Sequence, residues 1–145
     1  MAKLLSSRTA QKVVQGQFTF KYDDTMKNVS GVTKDFGLTS IGAGGINVDC
    51  IELPPGAVVV GGSVERITAF DTAGYTITVG DADVADRYLA ATDVKAAGRT
   101  ALVPTGYRTT GKPIRVAVNN VDVCTAGECV VRVQYVIDGR AEEVA

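Results

Sequence analysis

Asp81, Asp83 and Asp86 form the acidic cluster of this sequence whose spacing could do chemistry, because three carboxylates gathered in one turn can surround a hard cation such as calcium. The match to a known calcium loop is poor. An EF-hand loop places glycine sixth and glutamate twelfth, and counting from Asp81 those positions hold Asp86 and Thr92. Turn preferences give these side chains a simpler task, accepting backbone hydrogen bonds in a turn and at the start of a following helix, with Arg87 as the local counter-charge. Cys50, Cys124 and Cys129 cannot all pair with one another, and in a reducing compartment they read as buried thiols filling small apolar spaces. Cys124 and Cys129 flank Thr-Ala-Gly-Glu, a hairpin-like loop across which the two could face each other, so a late disulfide there stays open. Histidine is absent, so a tetrahedral zinc site would need distant carboxylates.

General acid-base and nucleophilic catalysis need a base within hydrogen-bond reach of its partner, and no Ser-x-x-Lys or Gly-x-Ser-x-Gly pattern supplies one. Gly42-Ala-Gly-Gly45 lacks the Lys-Ser/Thr of a phosphate loop and reads as a hinge. The expectation is a chain that is not an enzyme, with no catalytic, cofactor-binding or metal-binding residue.

The elements that must position these residues are strands. In Gly74–Gly80, Tyr75, Ile77 and Val79 share one parity and Thr76 and Thr78 the other, the period of a strand with one buried face. Phe18, Phe20 and Tyr22 repeat the pattern near the start, as do Ile114, Val116 and Val118 later, and Cys129, Val131, Val133, Tyr135 and Ile137 near the end. Ile46–Leu53 alternates with a phase slip at Cys50-Ile51, stopped by Pro54-Pro55-Gly56. Ala57–Phe70 is a long apolar strand in which Gly61-Gly62 predicts a bulge or bend. Residues 85–98 give the one candidate helix, with Leu89, Ala90, Val94 and Ala97 on one side and Gly98 as its C-cap. Thr25–Gly45, rich in small and polar residues, reads as a long loop with at most one short strand, and loops of that length in a compact domain are commonly functional or locally disordered, so a contact element and a mobile surface loop both stay open. Seven or eight strands with frequent turns predict an all-β domain, a jelly roll or β-sandwich with one short helix and a long N-terminal loop. Residues 1–11 read as an N-terminal arm and 12–145 as a single domain.

Composition agrees. A chain of 145 residues buries roughly 70% of its unfolded surface on folding, enough for one core without staples. A formal charge of -1 creates no field for a nucleic-acid backbone, so nucleic acid is not an expected partner. No apolar run approaches the ~20 residues of a membrane span, and the first residues lack a signal peptide's apolar stretch, which predicts no membrane partner and a chain made in the cytoplasm. Free sheet edges invite pairing with another chain, which favours assembly.

Thr76–Asp83, Asp86–Asp93, Ala97–Ala101, Pro104–Tyr107 and the closing Val131–Tyr135 and Asp138-Gly-Arg140 resemble the capsid cement, or decoration, proteins of tailed bacteriophages over residues 57–140. The resemblance implies a jelly-roll core on the exterior of the virion's capsid, assembled in the host cytoplasm. It also implies the major capsid protein as a partner and self-association as a homodimer or homotrimer. In that setting the arm and the Thr25–Gly45 loop are the expected shell contacts. The alternative is a head-fibre or carbohydrate-binding sandwich that attaches to host surfaces, which the absence of Trp and the few Tyr disfavour.

Overall fold

Alternating apolar and polar side chains make an extended chain two-faced, and such chains bury one face by pairing into sheets and stacking the sheets. The computed structural model describes residues 13–37, 46–72, 74–94 and 98–137. It contains β1 (Val14–Lys21), β2 (Thr25–Lys27), β3 (Thr33–Asp35), β4 (Ile46–Ile51) and β5 (Ala57–Thr68). β6 (Tyr75–Gly80), β7 (Leu89–Asp93), β8 (Arg99–Ala101), β9 (Ile114–Asn120) and β10 (Glu128–Ile137) follow. Two four-stranded antiparallel sheets, β1-β10-β5-β8 and β4-β9-β6-β7, face each other, and β2 and β3 pair as a separate hairpin. With that hairpin set aside, the first roll strand lies beside the last and the second beside the next to last, the folded-over order of a jelly roll.

The core sits between the sheets. Tyr75, Ile77 and Val79 of β6 and Ile114, Val116 and Val118 of β9 are buried, facing Val59 and Val64 of β5 and Val131 and Val133 of β10. Each buried Val or Ile stabilises the domain by roughly 1.5–3 kcal/mol relative to exposure. At the corner where β1 passes β4, a Cβ on Gly16 would lie 2.5 Å from Ile51 Cγ2, so only a glycine lets the two edges approach this closely.

Both phase slips are bulges. Asp49 pairs with Arg115 and Ile51 with Ile114, leaving Cys50 as the extra residue. In β5, Gly61 opposes Gln134 while Val59 opposes Tyr135, so Val60 is extra and the inward parity changes across it. Gly62 follows at φ +142, a backbone conformation that favours glycine.

Two expectations are corrected. The candidate helix over residues 85–98 is a turn followed by β7 in its described part, and no helix occurs among the described residues. The cause is a third bulge: Thr92 opposes Ile77 and Leu89 opposes Val79, so two residues of β7 stand against Thr78 alone. That slip puts Leu89 and Val94 on the buried side and leaves Ala90 exposed, so the helical face comes only from the four- and three-residue spacing of Ala90, Val94 and Ala97 in the sequence. The long loop is the second correction, since its described part carries the β2–β3 hairpin, two strands where at most one was expected. Cys50, Cys124 and Cys129 are free thiols, the last two buried. Cys129 lies within β10, and Cys124 lies in the preceding loop with its amide donating to the Gly37 carbonyl at 2.9 Å. Burial pushes the Cys129 thiol up to about 12 and Cys124 up to about 11.

Candidate functional site

The acidic turn after β6 is used internally. Asp81 Oδ1 accepts from the amides of Asp83 at 3.0 Å and Val84 at 2.8 Å, while Oδ2 accepts from Arg87 Nε at 2.6 Å. Burial opposes ionisation of Asp81, but those amides and the Arg87 guanidinium outweigh it and hold its carboxyl below the ordinary value. Arg87 also lies over the Tyr107 ring, 3.6 Å from its centroid, and Asp83 pairs with Lys112 at 2.6 Å. Asp86 is exposed. The carboxylates thus diverge into separate contacts, with Arg87 as the expected counter-charge, and no group of three metal-ligating side chains converges among the described residues.

A second polar network ties the loops at one end of the roll. Asn120, 2% exposed, donates to the carbonyls of Gly37 at 3.1 Å and Asp122 at 2.7 Å. Thr72 donates to Asp122 Oδ1, and Asp71 accepts from the Thr125 hydroxyl and from the amides of Thr125 at 2.7 Å and Ala126 at 3.2 Å. The Thr125 hydroxyl, then its amide, hold the Asp71 carboxyl below the ordinary value. The Tyr75 hydroxyl donates to the Phe36 carbonyl, and its ring stacks on Phe70 with centroids 3.7 Å apart. Sequence reading missed this network, although Asn120 continues the inward parity of Ile114, Val116 and Val118.

These bonds fix the base of the β2–β3 hairpin, and its tip is pinned too. Val29 donates its amide to the Asn47 carbonyl at 2.8 Å, and Asn28 Oδ1 accepts from the Asn47 amide at 2.6 Å, tying the tip to one residue of the outer edge of β4. On the far side a single bond joins the two sheets' ends, where Val103 donates to the Tyr88 carbonyl at 2.9 Å. The pinned tip leaves Val29 and Val32 exposed, at 45% and 56%. Beneath the hairpin base, Phe20 and Phe36 stack with centroids 4.5 Å apart, and Phe18 lies 5.9 Å from Phe36. The expected arm (residues 1–11) and the glycine hinge Gly42–Gly45 lie outside the described residues.

No protein-family model matches the chain, and no curated protein does. Solved structures do. A chain of the cyanophage Pam1 capsid asymmetric unit shares the fold with a TM-score of 0.63 at 22% identity, over 94% of this chain and 92% of that one. A chain of the acid-stable capsid of Helicobacter pylori bacteriophage KHP30 gives a TM-score of 0.53 at 21% identity, over 87% and 92%. At such identities the likeness is one of fold, and it spans nearly the whole of each chain.

Proposed function

We propose that this jelly roll, shared nearly end to end with a chain of a bacteriophage capsid, is a structural protein of a phage head. More specifically, it is a decoration, or cement, protein that binds the outer surface of the shell and reinforces the joints between major capsid protein subunits, acting as a homodimer or homotrimer. The full-length fold likeness to the Pam1 capsid chain carries this reading. The exposed, doubly anchored hairpin tip at Val29 and Val32 supplies the shell-facing element. No turnover is needed. A protein that binds only the assembled shell stabilises it by mass action, by about 2.7 kcal/mol per site at a hundredfold excess over the dissociation constant, and the gain repeats at every site.

A sugar-binding role draws no support from the surface. Sugar sites stack on exposed aromatics, and each Phe and Tyr among the described residues is buried or half-buried.

The test is co-sedimentation with purified heads lacking this protein. The wild-type chain is expected to saturate the heads, while Val29→Asp/Val32→Asp binds at least about tenfold more weakly, the value of roughly 1.4 kcal/mol of lost apolar burial. Its urea midpoint is expected to match wild type, because both positions are exposed. Heads that ignore the wild-type chain, while the chain binds a glycan array, would overturn the proposal.

A further inference from the structure

We propose that the groove beside β1 is a strand-addition site that receives residues 1–12 of a second copy of this chain. The inference rests on the self-association half of the proposed function and supplies its surface. β1 is the end strand of its sheet, paired with β10 on one side. Among the described residues, Val14–Phe20 form no backbone hydrogen bond on the other side. Asn47 on the outer edge of β4 is bonded to the hairpin tip, and Val103 just beyond β8 is bonded to Tyr88, whereas β1 keeps an open row of amides and carbonyls from Val14 to Phe20. An extended segment laid along such an edge gains main-chain hydrogen bonds, and alternate side chains enter whatever hollow lies beside it.

The hollow is present. A groove of about 400 Å³ lies beside β1, lined by Phe18, Phe20, Phe36 and Met26 and by Asp23 and Asp24. Phe18 and Met26 are half-buried, so the floor keeps apolar surface in reach of a ligand. No Lys or Arg lines it, and among the described residues neither aspartate forms an ion pair. The chemistry that fits is an extended segment carrying apolar side chains and positive charge.

The chain's two ends differ in this respect. Residues 1–12 carry Lys3, Arg8 and Lys12 with Leu4 and Leu5 and no carboxylate, whereas residues 138–145 carry Asp138, Glu142 and Glu143 against Arg140 alone. The first complements the aspartates and the second is repelled by them. Twelve extended residues span about 40 Å, enough to run the length of β1. The groove residues lie towards the far end of β1 from Val13, so a chain filling its own groove would have to reverse at once. Thr9-Ala-Gln-Lys-Val13 holds no Gly, Asn, Asp or Pro, the residues a tight reversal needs, so the donor is a neighbouring copy.

Sedimentation velocity of the full-length protein over a concentration series, with no capsids present, tests this. The wild-type chain is expected to associate. Asp23→Lys/Asp24→Lys and, separately, Lys3→Glu/Arg8→Glu/Lys12→Glu are each expected to weaken association by about tenfold or more. The combined five-fold variant is expected to return to within about threefold of wild type, because the two charge reversals restore complementarity. Hydrogen exchange at the amides of Gln15, Gln17 and Thr19 is expected to slow as wild type associates. A wild-type chain monomeric at every concentration, groove variants that associate like wild type, or a combined variant that is not restored would each overturn the proposal. Head binding by Val29 and Val32 is read in a separate assay, so either idea can fail alone.

Discussion

Tyr75→Phe isolates one hydrogen bond whose loss should be felt at a distance. Tyr75 is fully buried, its ring stacks on Phe70 at an interplanar angle of 9°, and its hydroxyl donates to the carbonyl of Phe36, just beyond β3. Phenylalanine keeps the ring, the stack and nearly all of the volume, so the substitution removes a donor and leaves a buried carbonyl unpaired. That costs about 1–3 kcal/mol, the desolvation of one orphaned acceptor. In urea the midpoint should fall with the m-value unchanged, because the surface exposed on unfolding is the same. Burial first, and then nearby Cys124, Cys129 and Asp35, push the Tyr75 hydroxyl's pKa up, so it stays a donor and the difference should be equal at pH 6 and pH 9. Hydrogen exchange in β2 and β3 should quicken by more than in β9, because the lost bond anchors the hairpin base. The control is Tyr135→Phe, half-buried in β10, expected to lie within about 0.5 kcal/mol of wild type. If Tyr75→Phe matches that control, or if its cost changes between the two pH values, the account of this bond is wrong.

Gly62→Ala would set a Cβ 2.2 Å from the Arg132 carbonyl oxygen at φ +142, and backbone strain plus that clash should lower stability by at least about 2 kcal/mol in the same urea assay. A midpoint unchanged from wild type would show that the bulge is not as tight as described. Acid should also weaken the domain through Asp81. Its carboxyl lies below the ordinary value when folded, so its contribution is complete above about pH 5 and is lost as pH falls through the folded value. Asp81→Asn should therefore lose less stability than wild type between pH 6 and pH 3, and parallel pH profiles would remove the turn from this account.

The roll strands were legible because one buried face writes itself as parity. β6 and β9 show it plainly, β10 shows it apart from the buried Val130, and even the slips at Cys50 and Gly61-Gly62 announced their bulges. β7 was misread because its bulge displaces Val94 from the parity of Leu89, which left the i, i+4, i+7 spacing of Ala90, Val94 and Ala97 as the visible pattern. β2 and β3 have three residues each, too few for a period, and their pairing depends on the Asn28–Val32 turn and on Asn47 from a distant strand. At the site, Arg87 and Asp81 were close enough in sequence to be paired by inspection. The groove was not legible, because Phe18 and Phe36 meet only after the chain has turned through the hairpin. Nothing in the local spacing around Asn120 discloses that its amide reaches Gly37, eighty-three residues away.

The contacts at Asn47 and Tyr88 bear on how copies of such a molecule can stand side by side. Proteins crowded side by side on a particle meet at high local concentration, where unpaired sheet margins would splice neighbours into fibres. Here the molecule's own backbone takes up Asn47 and Tyr88 on two of those margins, so sideways pairing is steered towards the open edge of β1.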